Sequence, residues 1–192
     1  MSLNPTTELE AVNSMLNTIG EAPVNSLVSM TSVDAITAVA VLRAVNREVQ
    51  VQGWFFNTER NFPLTPDGTG QLVLPTNTMS MDSSTPSAEH DVIQRGSRVY
   101  DKKNHTYQFT GVLKCDLTLL LSFEEIPEAA RTYITQRASR MFQDRTLGSD
   151  SLHSMHREDE YYALTTLRLM ESENADYNML TGSTSVSRIL TR

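Results

Sequence analysis

Apolar residues near the start of the chain recur at helical spacing: Leu9, Val12, Leu16 and Ile19 fall on one face, which predicts an amphipathic helix over 8–19. Thr7 and Glu10 have the spacing of a capping box ahead of it, and Gly20 offers a left-handed stop. Ala38, Leu42, Val45 and Val49 align in the same way on a second helix, with Thr31, Ser32 and Asp34 as cap candidates and Gly53 as its end. The pattern then changes at Trp54. Short β-favouring runs at 54–56, 71–74, 91–94, 98–100, 106–109 and 117–121 are separated by Pro66-Asp67-Gly68, Arg95-Gly96-Ser97 and Lys102-Lys103-Asn104-His105. Gaps this short leave no room for crossover helices, so the strands should pair antiparallel. The stretch 76–90 is polar and aperiodic, which predicts a long exposed loop.

Helical spacing returns after Pro127. Ala130, Ile134, Ala138 and Met141 form one stripe that Gly148 closes, and Ser149 and Asp150 can cap a fourth helix running to about Asn174. Leu152, Met155, Tyr162, Leu167 and Met170 are among its apolar positions. Helix, helix, sheet, helix, helix is an α+β arrangement. The expected architecture is a four-helix bundle formed by the N- and C-terminal helix pairs, residues 1–53 and 126–180, with an inserted antiparallel β lobe over 54–125 and a C-terminal docking tail over 181–192.

Charge narrows the function classes. The 192 residues hold 16 Lys and Arg against 23 Asp and Glu, a net charge of −7. Gripping nucleic acid needs a basic stripe that releases phosphate counterions, so specific DNA binding is not expected, whereas a wall that DNA slides past suits an acidic surplus. The lone Cys115 fits a reducing compartment, and no apolar run reaches the roughly 18 residues of a membrane span. A basic flank and apolar signal core are not seen at the start of the chain, so ordinary secretion is not expected.

The last two helices divide their charge unequally. Residues 127–147 carry four Arg against two acids, and residues 150–176 carry two Arg against seven acids. Either these are solvated faces with a few internal pairs, or a basic and an acidic face meet head to tail between subunits, with Arg137, Arg140, Glu158 and Glu160 as the interface candidates. Residues 181–192 are rich in Ser and Thr, yet hold Val186, Ile189 and Leu190 between basic Arg188 and Arg192. Such a segment is either a frayed end or one that orders on a partner.

Candidate chemistry is thin. His153, His156 and Glu160 lie along one side of the fourth helix at a spacing open to a metal, or to a solvated polar face. Glu124 and Glu125 precede a helix start, where the dipole favours carboxylates without any acid–base role. Gly68-Thr69-Gly70 lacks the remainder of a phosphate loop, and Cys115 has no sequence-visible base. No catalytic, cofactor or metal site is assigned, and the reading is that the protein is not an enzyme.

Longer strings carry a resemblance. Glu8-Leu9-Glu10-Ala11-Val12-Asn13, Ile19-Gly20-Glu21-Ala22-Pro23-Val24, Ala44-Val45-Asn46-Arg47-Glu48-Val49-Gln50 and Gly53-Trp54-Phe55-Phe56-Asn57 resemble the opening of the tail tubular protein A family of short-tailed bacteriophages. Ala138-Ser139-Arg140-Met141-Phe142, Tyr177-Asn178-Met179-Leu180-Thr181-Gly182 and Leu190-Thr191-Arg192 continue it in order, and it thins between 65 and 105. The resemblance implies a structural virion protein: an adaptor or gatekeeper ring, expected to be a homo-oligomeric dodecamer, that joins portal protein to the nozzle (tail tubular protein B). It further implies a tail fibre attached nearby, viral DNA passing through the channel without specific binding, no membrane, no cofactor, and assembly in the host cytoplasm before residence in the virion tail. Portal docking then falls to Val186, Arg188, Ile189, Leu190 and Arg192. The alternative from another class is a glycan-degrading tail-associated hydrolase using paired carboxylates.

Overall fold

Helix α1, Glu8–Thr18, starts where Thr7 and Glu10 satisfy each other's backbone: Thr7 Oγ1 accepts from the Glu10 amide at 3.2 Å, and Glu10 Oε2 accepts from the Thr7 amide at 2.8 Å. The fold is that of a computed structural model, which describes residues 5–28, 30–84 and 90–174. Ser32 caps α2, Val33–Gln50, by accepting from the Ala35 amide at 3.4 Å. Pro127 is the N-cap of α3, Glu128–Thr146, and α4 runs over Asp150–Asn174. Gly20, Gly53 and Gly148 have positive φ, and at Gly148 (φ 63°) this lets its amide reach the Gln143 carbonyl at the end of α3.

Five strands lie between α2 and α3 in sequence: β1 Thr58–Leu64, β2 Thr78–Ser83, β3 Val92–Arg95, β4 Arg98–Asp101 and β5 Leu113–Leu119. The first sheet has the order β1-β5-β2, all antiparallel, and β3 and β4 form a separate hairpin turning at Gly96 and Ser97. The fold is therefore α+β with antiparallel sheets.

Several strands differ from the expectation. Residues 54–56 form a turn, because Asn57 caps it: its Oδ1 accepts from the Trp54 amide at 2.8 Å. The runs at 71–74 and 106–109 contribute isolated bridges, Gln71 to Gln108, Val73 to Arg98 and Thr106 to Asp101. The stretch 76–90, expected as a loop, contains β2, which gains its ladder from β5; its own alternation, Met79 and Met81 among polar residues, is too brief to mark a strand. β1 was hidden in the same way, interrupted by a bulge between Glu59 and Phe62 where Asn61 takes φ 56° and its amide donates to Asp116.

Two hydrophobic clusters result. In the larger, α3 packs against α1, α2 and α4, α1 packs against α2, and Leu16, Leu42, Ile134, Phe142 and Leu167 are buried. The smaller joins Leu64, Leu72, Leu74, Val99, Phe109, Cys115 and Leu117 from the strands and their bridges.

Candidate assembly surface

Gln50, the last residue of α2, is fully buried and turns its amide onto the strand exit: Oε1 accepts from the Leu121 amide at 2.8 Å, and Nε2 donates to the Leu121 carbonyl at 2.9 Å. Asn57 complements it, donating to the carbonyls of Gln50 and Leu119 at 2.9 and 2.8 Å. Trp54 is buried between them, with its indole N–H on the Val49 carbonyl at 2.8 Å. Gly53 sits so close to the side chains of Thr118 and Thr58 that a Cβ would meet them at 3.3–3.4 Å. Each polar group of this corner has a partner, which fixes how helices meet sheet. Sequence reasoning found Trp54 but missed Gln50 and Asn57, whose polar side chains carry no periodic signal.

The opposite charges of α3 and α4 meet within one chain. Arg137 pairs with Glu160 at 3.1 Å and also with Glu48 of α2. Arg140 Nε lies 2.5 Å from the other oxygen of Glu160, and Arg140 also reaches Asp144 at 3.4 Å. The hydrogen bond to Glu160 is the main reason that the Arg140 pKa is raised. Of the four interface candidates, Arg137, Arg140 and Glu160 thus form one seam between α3 and α4, and Glu158 stands apart on the exposed side of α4, where it accepts from the Tyr162 hydroxyl. Val186, Arg188, Ile189, Leu190 and Arg192 lie outside the described residues.

The potential chemical groups are engaged elsewhere. His153 binds Asp144 at 2.9 Å while Glu160 binds arginines, so the helical His-His-Glu row does not converge. Among the described residues, no group of three or more His, Cys, Asp or Glu is placed to hold a metal. Glu125 accepts from the Ser122 amide at 2.9 Å, a local cap, and the Glu124 carbonyl accepts from Arg131. A cleft of about 370 Å³ beside Phe123 holds Glu8 and Glu124, but Glu8 is clamped by Nε and Nη2 of Arg43 at 2.7 and 3.2 Å. The carboxylates with displaced pKa values, Glu10, Asp67, Asp101, Asp116 and Glu125, are all lowered. A glycosidase acid needs the opposite displacement. Cys115 is buried and pushed up to about 11 by that burial, aided by Asp116 and Asp82, which makes it an inert thiol.

What the surface offers instead is apolar. Only Ala163 and Leu167 of α4 are buried, while Met155, Tyr161, Tyr162 and Leu169 are each 59–65% exposed. Met155 and Tyr162, two of the apolar positions that the sequence places on this helix, therefore face outward. The outer side of α2 shows Val33 and Ile36, and Val51 follows it, all exposed. No helix of the described residues is long and apolar enough to cross a membrane.

Comparison with known proteins agrees with a protein built to assemble. A curated relative, "Tail tubular protein A" of Klebsiella phage KP34, is 25% identical over 162 residues, covering 84% of this chain and 85% of its own length. The family described as "Tail tubular protein" matches residues 9–177, from the second residue of α1 to beyond the end of α4, and the chain belongs to that family.

Proposed function

We propose that this protein is a structural subunit of the virion tail of a short-tailed phage, forming the adaptor or gatekeeper ring that joins the portal to the nozzle and continues the DNA channel. The family match across residues 9–177 carries the reading. The geometry supports it at three points. Large side chains stand exposed on α4 and on the far side of α2, as a subunit with two neighbours requires. The acidic balance suits a wall that DNA passes without sticking. The carboxylates of Glu10, Asp101 and Glu125 are held low by hydrogen bonds of caps and turns, which is how a structural protein uses its acids.

In this reading the ring is a dodecamer, and a fibre attaches near its junction with the nozzle. Residues 181–192 dock on the portal through Val186, Ile189 and Leu190, with Arg188 and Arg192 on acidic groups. The mass of the purified protein by light scattering, alone and mixed with portal rings, tests the assignment. A closed cyclic mass on the portal is the expected result; a single-chain mass under both conditions refutes it.

A further inference from the structure

The outer faces of α4 and α2 have matched spacing. On α4, Met155, Glu158, Tyr162, Thr165 and Leu169 follow each other at steps of three and four residues, and all five are exposed. On α2, Val33, Thr37, Ala40, Ala44 and Arg47 do the same, also exposed. Steps of three and four are the seam of two helices packed side by side, with each knob seated among four residues of its partner. Both seams run over 15 residues, about 21 Å of helix from end to end. One seam is large and acidic in its middle; the other is small there and ends in a cation.

We propose that α4 of one subunit docks antiparallel along α2 of a second copy of this chain, Tyr162 lying over Ala40, Leu169 against Val33 and Glu158 reaching Arg47. The inference rests on the ring reading and gives that ring its contact. The size pattern favours a copy over an unrelated partner: Tyr162, 61% exposed, needs a shallow neighbour, and Ala40 with Ala44 provides one on this same chain. Charge fits as well. Among the described residues Glu158 pairs with no cation and Arg47 with no carboxylate, whereas Arg137, Arg140 and Glu160 are consumed internally. A contact between two different helices can repeat head to tail from one subunit to the next, and such a heterologous contact builds a ring where its rotation closes. Tyr and its apolar flanks would supply the desolvated centre of such an interface, and the Glu158–Arg47 pair its register.

The test uses the full-length protein, alone and on portal rings. Ala40→Trp and Tyr162→Glu each change an exposed side chain, so melting should hold while the concentration for half-assembly, read by mass photometry, rises at least tenfold. Glu158→Arg should weaken assembly and Arg47→Glu in the same chain should restore it. A protein carrying Ala40→Cys mixed with one carrying Tyr162→Cys should cross-link through a short bis-maleimide, with neither linking alone; buried Cys115 stays out of the reaction. Wild-type rings from Ala40→Trp and Tyr162→Glu, without the mixed cross-link, would overturn this contact and leave the ring standing. Wild-type protein that remains a single chain even on portal would overturn both.

Discussion

At the scale of single residues, this molecule places its polar side chains where the backbone would otherwise be orphaned. Asn57 serves three backbone groups at once: the Trp54 amide and the carbonyls of Gln50 and Leu119. Asn57→Leu keeps the volume and strands all three, at roughly 1–3 kcal/mol for each group left buried and unpaired. The urea midpoint should therefore fall by the equivalent of about 3 kcal/mol or more; a loss below about 1 kcal/mol would show that water reaches the corner. Asp101 plays the same part in the β3–β4 hairpin, where it is fully buried and gathers His90 at 2.6 Å, the Asn104 side chain at 2.8 Å and the amides of Lys103 and Asn104. Burial alone would raise its pKa, but those hydrogen bonds, His90 foremost, outweigh it and hold the carboxyl well below the usual range. A lowered folded value means that Asp101 stabilises fully above the unfolded value near 3.9 and loses that contribution as pH falls through it toward the folded one. Asp101→Asn should accordingly be less stable than wild type at neutral pH, with the gap closing below about pH 4 in parallel denaturant melts. A gap that stays constant with pH would mean that shape, not charge, matters at this site. Neither residue was legible beforehand, since a buried Asn or Asp looks in sequence like any turn residue.

Among elements, the helices were legible and the strands only partly so, and the reason is range. Caps are local: Thr7 with Glu10, Ser32, Pro127 and Gly148 each act within a few residues, so the four helices end close to where their sequence places them. Strand β2, Thr-Met-Ser-Met-Asp-Ser, is held by β5 more than 30 residues away, and nothing within its own six residues announces that partner. Long-range pairing also decides the face of α4. Its apolar residues surround the helix, and only the presence of α3 shows that Ala163 and Leu167 face inward while Met155 and Tyr162 do not. With so small a buried stripe, α4 depends on the seam in which Glu160 bridges Arg137 and Arg140. These side chains are 12–25% exposed, so the pairs are partly shielded from water and exceed an ordinary surface bridge. Glu160→Gln keeps the shape and removes the charge, and should cost about 1–3 kcal/mol. Hydrogen exchange is the discriminating measurement: α4 amides should lose protection roughly tenfold or more, while those of α1 and α2 stay as they were. Equal loss in all three helices would place the seam inside the global core.

For the molecule as a whole, the two hydrophobic clusters of the described residues draw on all four helices and the strands, from Ala11 of α1 to Leu167 of α4. Residues 181–192 lie outside the described residues, and in the proposed ring they go to a partner. Val186, Ile189 and Leu190 could bring roughly 4–8 kcal/mol of apolar burial if fully covered, much of it offset by ordering a dozen residues. One tail alone would then bind weakly. In a ring the arithmetic changes, because each docked tail raises the local concentration of the next, and a set of weak contacts becomes a stable attachment. Deleting 181–192 should therefore leave the melting transition unchanged and leave the ring contact between α4 and α2 intact, yet abolish stable binding to portal. Co-sedimentation of truncated protein with portal rings measures the second effect and a thermal melt the first. Arg188→Glu with Arg192→Glu should reproduce part of the loss, with steeper salt dependence in wild type than in the variant if acidic groups on the portal receive those arginines. Full retention of the truncated protein on portal would show that attachment lies on the helical body instead, and a lowered melting temperature would show that the tail completes the fold it leaves.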